Sequence, residues 1–161
     1  MINRFIGKYE VFSNFSPAKV IYDNVTYPTV EHAYVAAKTM DRRFRRSVAM
    51  SPASQAGKMK KWGRTVNMRS DWDKVKLEIM QDLVTQKFNK YNDYSKYELL
   101  LGTGDQLIIE GNYWHDNFWG NCLCNKCMKI KGENHLGLIL MKVREFLSLH
   151  EDGFLNLEIT S

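Results

Sequence analysis

The chain has 161 residues, of which 44% are hydrophobic and 25% are charged, and this composition is that of an ordinary globular protein. Its length favours a single domain with a core of its own. No apolar run reaches about 18 residues, which argues against a membrane-spanning helix, and the first dozen residues lack the apolar centre of a secretory signal. We therefore expect a cytoplasmic protein. The net charge of +5 favours an anionic partner, such as a phosphate ester, a nucleotide or nucleic acid, without choosing among them.

The first part of the chain predicts a β-hairpin. Two β-prone triplets, Val20–Tyr22 and Val25–Tyr27, flank the dipeptide Asp23-Asn24. Aspartate and asparagine suit a two-residue hairpin turn, so we expect the two triplets to pair with each other.

A helix is predicted directly after the hairpin, from Pro28-Thr29 to about Thr39. Thr29 is a good N-cap, and apolar residues recur at helical spacing at Val30, Ala33, Tyr34 and Ala37. Glu31 falls in the first turn, where the helix dipole favours a carboxylate. Glu31 therefore has a structural explanation as well as a chemical one.

Further elements follow in order along the chain. Capping residues and apolar spacing predict helices from Ser51-Pro52 to Gly63, from Ser70 to about Lys90, from Ser95 to Gly102 and from Asn134 to about Leu149, with a short buried strand at Leu107–Ile109. Ser95 and Glu98 match a capping box. Trp72 lies in the apolar stripe of the longest helix, which favours a place in the core. The alternation of Leu155, Leu157 and Ile159 predicts an edge strand in the tail.

Residues 104–127 carry the densest set of chemical groups. Trp114 and Trp119 flank a His115-Asp116 pair. Aromatic walls exclude water from a carboxylate, which suits acid or base work, and their faces can stack on a nucleobase. A carboxylate beside such a ring can help cleave a ribose–base bond, because a negative charge stabilises the oxocarbenium-like transition state. The alternative is an aspartate that caps an aromatic turn. Glu31 is a second candidate carboxylate, and the sequence does not establish that the two meet.

All three cysteines of the chain lie within six residues, in the pattern C-x-C-x2-C at Cys122, Cys124 and Cys127. An odd, clustered set argues against a disulfide framework. With a fourth ligand from His115 or His135, these thiols could hold a structural zinc ion, because a closed thiolate-rich shell leaves no position for water. The alternative is three reduced thiols in a loop.

Basic residues are concentrated between residues 42 and 69. The arginines at 42, 43, 45 and 46 and the cluster of Lys58, Lys60, Lys61 and Arg64 are typical of solvated helix faces, and one or two could bind a phosphate. Arg69 precedes a predicted helix N-terminus, which is itself an anion site. A second class of function therefore remains open, a zinc-stabilised nucleic-acid-binding module without catalysis, in which the tryptophans stack on bases.

Several short motifs together resemble the NADAR superfamily, the YbiA-like N-glycosidases. The motifs occur in the order of that family and span about residues 5 to 147. They are FSNFSP at 12–17, YPTVEHAY at 27–34 with Ala37-Lys38, MRSDW at 68–72, TGD at 103–105, DNFWG at 116–120 and NHLG at 134–137.

The resemblance implies a fold of the α+β class, a single compact and mostly helical domain over 1–161 with a small antiparallel sheet, and the tail at 150–161 lies outside it. It implies hydrolysis of a ribose N-glycosidic bond without a catalytic cofactor. The expected substrates are ribosylamino-pyrimidine phosphates of riboflavin synthesis, or ADP-ribose attached to a nucleobase such as guanine in DNA. Glu31, Asp116 and Trp119 carry over as catalytic residues, in an order of roles that stays open. The pocket residues that carry over are Asn14, Phe15, Lys38 and Arg69.

The cysteine segment is a departure from the family pattern. Residues 122–127 lie where many relatives have a shorter, glycine-rich link. Metal binding therefore does not follow from the resemblance.

Overall fold

The computed structural model describes residues 1–150. A 3-10 helix at Gly7–Phe12 leads into two antiparallel strands, β1 (Pro17–Tyr22) and β2 (Val25–Thr29). Asp23 and Asn24 between them have φ angles of 48° and 62°. Both lie in the left-handed region that a two-residue hairpin turn of type I′ requires, so the predicted hairpin is confirmed.

Six α-helices follow within residues 1–150. They are α1 (Val30–Ala37), α2 (Arg42–Met50), α3 (Ala56–Trp62), α4 (Trp72–Phe88), α5 (Tyr94–Leu101) and α6 (His135–Leu149). The predicted positions of α1, α4 and α6 agree with the structure to within about two residues. The architecture confirms the predicted α+β class, a compact and mostly helical domain with a small antiparallel sheet.

Two predicted helix starts are wrong. The helix expected from Pro52 begins at Ala56, after a 3-10 turn at Ala53–Gln55. Ser95 is not the cap. The Asp93 side chain accepts the Lys96 N–H at 3.1 Å, so the cap lies two residues earlier and α5 begins at Tyr94. At α5 a neighbouring residue thus competes for the same backbone groups.

Helix α1 is the centre of the fold. All eight of its residues are buried, and it packs against the hairpin and against α2, α3 and α4. Thr29 caps it, since its hydroxyl accepts the His32 N–H at 3.0 Å. Trp72 of α4 is 5% exposed and its ring lies 4.9 Å from that of Tyr34, so its predicted place in the core is confirmed. Polar side chains on α1 must therefore find partners inside the protein or face a cavity.

One arginine departs from the expected solvated face. Arg45 is 5% exposed, and its Nε donates to the carbonyl oxygens of Ala36 and Thr39 at 3.1 and 2.8 Å. Its guanidinium also pairs with Asp23 at 2.6 Å. Arg45 thus binds the carbonyls at the C-terminal end of α1 and ties that end to the hairpin turn.

The segment between α5 and α6 contains little regular structure. The strand expected at Leu107–Ile109 is reduced to a single bridge between Ile108 and Ile2. Two short parallel strands follow, β3 (Gly111–Asn112) and β4 (Asn121–Cys122). The side chain of Asn134, just before α6, accepts the Glu110 N–H and donates to the Ile108 carbonyl, both at 2.9 Å. Asn134 therefore fixes the chain on either side of Ile109.

The edge strand predicted for the tail falls on residues 151–161 and lies outside the described residues. Among the helices of residues 1–150, none combines the length and apolarity that crossing a membrane requires.

Candidate active site

A cavity of about 560 Å³ opens beside α1, at the meeting of the loop before β1, helix α3 and the segment at 110–119. This volume lies in the range of small-molecule sites, about 300–1,000 Å³. The structure brings together in it six of the seven residues that the sequence predicted for catalysis or substrate binding, namely Asn14, Phe15, Glu31, Lys38, Asp116 and Trp119. A second depression, of about 580 Å³ between α4 and α6, contains none of them.

Helix α1 and its C-cap residue present three candidate site residues to the cavity. Glu31, Tyr34 and Lys38 follow at steps of three and four residues, which places them on one helix face. Glu31 is 7% exposed, and its N–H donates to the Asn14 carbonyl at 3.1 Å. Burial raises the pKa of Glu31, the charges of Lys60 and Lys38 oppose the rise, and the charge of Asp116 adds to it. Glu31 therefore keeps its proton to a higher pH than an ordinary carboxyl group.

Asp116 has two roles in the structure. Its Oδ1 accepts the N–H groups of Phe118 and Trp119 at 3.1 and 2.8 Å, so it does cap an aromatic turn. Asn112 holds its backbone, accepting the Asp116 N–H at 3.2 Å and donating to its carbonyl at 2.7 Å. The same carboxylate lines the cavity. The structural and the chemical interpretations of Asp116 are thus compatible, and the turn uses only one oxygen.

The aromatic wall is held by edge contacts. The Trp119 ring lies 5.0 Å from Phe118 and 5.4 Å from Tyr34, at interplanar angles of 88° and 90°. Burial raises the pKa of the Tyr34 phenol, which stays neutral at ordinary pH. Trp114 is 61% exposed and stands at the rim of the cavity. Such a wall offers flat faces to a base or a sugar ring.

Glu110 is a third carboxyl group in the cavity, and sequence reasoning did not single it out. Its Oε2 is buried without a hydrogen-bond partner among the described residues. Burial raises the pKa of Glu110 to about 7, with contributions from the charges of Asp116 and Glu31. The available signal was a carboxylate placed directly after the apolar run Leu107–Ile109. A group that titrates near neutral pH in a cavity is a candidate for proton transfer.

Basic side chains line part of the cavity. Lys38 has its Nζ 5.3 Å from the Tyr34 ring centre, and Lys60 has its Nζ 5.9 Å from that of Phe15. The other cationic residues in the lining are Arg4, Lys61 and Arg64. Three residues of the predicted basic cluster, Lys60, Lys61 and Arg64, therefore line the cavity, where an anionic ligand would contact them.

Arg69 is the predicted residue that the structure does not bring to the cavity. Its Nε and Nη2 bind both oxygens of Asp71, at 2.6 and 3.0 Å, and its Nη1 donates to the Tyr22 hydroxyl at 2.8 Å. Its backbone N–H donates to the Lys38 carbonyl at 2.7 Å. Arg69 supports the chain at Lys38, and the acidic residue two positions later was the sequence signal for its pairing.

The three cysteine thiols gather around one histidine. The Nδ1 atom of His115 lies 3.3 Å from the Sγ atoms of Cys124 and Cys127 and 3.9 Å from that of Cys122. The four candidate ligand atoms all lie within 4.8 Å of one another. His135, the other expected fourth ligand, instead pairs with Glu133 at 2.6 Å. Of the two histidines, the structure places His115 with the thiols.

Comparison with known proteins identifies the family. The sequence model of the NADAR domain family matches residues 4–148. The chain belongs to the NADAR family. It is 41% identical over 143 residues to N-glycosidase Npun_R5314 of Nostoc punctiforme, covering 85% of each chain, and 29% identical over 147 residues to N-glycosidase YbiA of Escherichia coli K12, covering 89% and 84%. The NMR structure of E. coli YbiA superposes with a TM-score of 0.77 at 28% identity, over 94% of this chain and 89% of the other.

A further relative is a much larger protein, and only part of it matches this chain. The riboflavin biosynthesis protein PYRR of Zea mays is 32% identical over 151 residues, which is 84% of this chain and 23% of that protein. The names of the shorter relatives confirm the expectation of a hydrolase and favour it over a binding module without catalysis.

Proposed function

We propose that this NADAR protein hydrolyses the N-glycosidic bond of a phosphorylated ribosyl compound, without a catalytic cofactor. The observation that carries the proposal is the composition of one cavity, in which Glu31, Glu110 and Asp116 face the same space as the Trp119 ring. The names of the Nostoc and E. coli relatives support this reaction.

The reaction needs two proton transfers and one site of charge stabilisation. Water adds to the anomeric carbon of ribose as the bond to nitrogen breaks, one proton leaves the water and one reaches the departing nitrogen. Burial raises the pKa of Glu31, which suits a group that gives a proton to the leaving base. Asp116 is assigned to the water and to the developing positive charge, through Oδ2, since Oδ1 caps the turn at Phe118 and Trp119.

Aromatic and basic side chains of the cavity hold different parts of the ligand. Trp119 walls in the base or the ribose, and Asn14 and Phe15 line the same cavity. Lys38 and Lys60 meet the phosphate, because cations in the lining attract an anionic group and leave the apolar wall for the ring. Arg69 has no part in holding the ligand, since its guanidinium is bound to Asp71 and Tyr22.

Two substrate classes fit a cavity of this kind. One is a ribosylamino-pyrimidine phosphate of riboflavin synthesis, with one phosphate, and the names of the Zea mays protein and of the riboflavin biosynthesis protein VVA0006 of Vibrio vulnificus make it the first to test. The other is ADP-ribose attached to a nucleobase such as guanine, free or in DNA, with a diphosphate. The number of phosphates held beside Lys38 and Lys60 separates the two.

The test compares wild-type protein with Glu31→Gln and Asp116→Asn on both substrates, following by chromatography the release of the free pyrimidine from the first and of ADP-ribose from the second. Each substitution is expected to lower turnover about 10²–10⁴-fold, the usual contribution of a proton-transfer group. Glu145→Gln, which alters an exposed carboxylate on α6, is the matched control and should retain full turnover. Unchanged turnover in both site variants would refute the assigned roles. Failure of folded wild-type protein to cleave either substrate would refute the function.

A further inference from the structure

We propose that His115, Cys122, Cys124 and Cys127 bind one zinc ion in a closed structural site, and that this metal holds the rim of the cavity on which Asp116 lies. The site is separate from the carboxylates, so metal binding does not depend on the proposed reaction. Its effect on turnover does rest on the proposed function.

The nitrogen–sulfur distances fit a tetrahedral zinc shell. Zinc bonds of about 2.3 Å to sulfur and about 2.0 Å to nitrogen at tetrahedral angles separate a nitrogen from a sulfur ligand by about 3.5 Å. The observed separations of His115 Nδ1 from the three sulfurs are 3.3, 3.3 and 3.9 Å. Three sulfurs and one imidazole form one of the common ligand sets of structural zinc.

The backbone around the cysteines is built to present the ligands. The Cys122 N–H donates to Asn117 Oδ1 at 2.9 Å, which fixes the first thiol within β4. A tight turn closes between the other two, where the Cys127 N–H donates to the Cys124 carbonyl at 3.0 Å. His115 has a φ angle of 67°, a conformation that is uncommon for residues other than glycine. A strained backbone conformation of this kind calls for a compensating interaction.

The alternative of three unligated thiols explains less. A thiol is a weak hydrogen-bonding group. Hydrogen bonds from three thiols to the His115 ring nitrogen would therefore do little to offset the strained backbone conformation of His115. A zinc ion would offset it, because it binds all four groups at once while the thiols release their protons. Cys122 and Cys127 are buried, Cys124 is half-buried and His115 is exposed. Four protein ligands fill a tetrahedral shell and leave no position for a reactive water, so the metal has a structural role.

The metal would act on the active site through the chain. His115 directly precedes Asp116, and Cys122 follows Trp119 by three residues. The Leu123 N–H donates to the carbonyl of Asn112, the residue whose side chain holds Asp116. Zinc would therefore hold together the two ends of the 115–122 loop, and this loop contains the turn that positions Asp116. Without zinc, we expect the loop to open while the core remains folded.

The first experiment measures bound metal in protein expressed with added zinc and freed of loose metal by gel filtration. Wild-type protein should carry one zinc per chain, and both Cys124→Ser and His115→Ala should lose most of it. His135→Ala is the matched control, since that histidine pairs with Glu133 and should leave the zinc content at one. Cobalt substitution adds a spectroscopic readout, because tetrahedral cobalt with thiolate ligands absorbs strongly in the visible region. Wild-type protein without zinc, or with a disulfide among the three cysteines, would overturn the proposal. Equal zinc in wild type and Cys124→Ser would overturn it as well.

A second measurement separates this inference from the proposed reaction. A chelator that strips the metal should lower the melting temperature and increase hydrogen exchange in residues 113–132, whether or not any substrate is known. Zinc binding without glycosidase activity would leave the metal site standing and refute only the proposed function. Full activity and unchanged exchange after metal removal would refute the role of the metal at the rim.

Discussion

Replacing Lys87 by methionine removes a buried cation beneath the loop that carries Asn14 and Phe15. Lys87 is 1% exposed, and its Nζ donates to the Ser13 carbonyl at 2.7 Å and to the Ser16 hydroxyl at 2.6 Å. Burial lowers the pKa of Lys87 from its ordinary value of 10.5 to about 7. Methionine has a similar length and keeps the volume filled, so the main change is the loss of the charge and its two hydrogen bonds.

The lowered pKa links stability to pH with a definite sign. Between about pH 7 and pH 10.5 the unfolded chain binds a proton that the folded chain has released, so the free energy of unfolding rises with pH in this window. The difference of 10.5 − 7 = 3.5 units corresponds to about 5 kcal/mol in total. Over the range from about pH 6 to about pH 9, the wild type should gain roughly 3 kcal/mol from this group.

The assay is urea unfolding at a series of pH values, for wild type and Lys87→Met. The wild-type free energy of unfolding minus that of the variant should rise by roughly 3 kcal/mol from about pH 6 to about pH 9. Lys142→Met, at an exposed position on α6, is the control and should show no such rise. A difference between wild type and Lys87→Met that stays flat or falls with pH would refute the reasoning, because a buried lysine with a lowered pKa cannot produce it.

Glu110→Gln should remove a pH dependence of the opposite sign. The folded-state pKa of Glu110 is raised from 4.5 to about 7, so its stabilising contribution is full below about pH 4.5 and is lost as the pH rises through about 7. In urea unfolding at about pH 5 and pH 8, the wild-type free energy of unfolding minus that of Glu110→Gln should fall with pH, and a difference that stays flat would contradict the prediction. Gly120→Ala places a Cβ 2.2 Å from the Glu110 carbonyl oxygen and should lower the free energy of unfolding by about 1–3 kcal/mol. Gly57→Ala is its control in the same assay, with a Cβ in ordinary contact with Phe15 at 3.7 Å. Equal stability of the two alanine variants would show that the chain near Gly120 yields easily.

Features with short-range causes were predictable from the sequence. The hairpin turn follows from Asp23-Asn24, and the start of α1 follows from Thr29, whose hydroxyl bonds a residue three positions away. The family motifs singled out Glu31 and Asp116 as candidate catalytic residues. These signals need only neighbours within a few residues, so a linear pattern contains them.

Competing short-range partners account for some of the errors. Arg69 was expected at a phosphate, and it pairs with Asp71 two residues away. Ser95 was expected to cap α5, and Asp93 takes that position. In each case the sequence contained both possible partners, and the linear pattern did not show which of the two interactions is more stable.

The sequence by itself determined the hairpin, the principal helices, the family and the two carboxylates in the family motifs. Only the tertiary structure decided that Glu31 and Asp116 share a cavity with Glu110, and that His115 rather than His135 faces the thiols. The physical reason is that burial and charge proximity depend on segments about eighty residues apart that meet after folding. A linear pattern records residue types and spacing, whereas the pKa of Glu110 and the ligand set at Cys122–Cys127 depend on which side chains surround them in space.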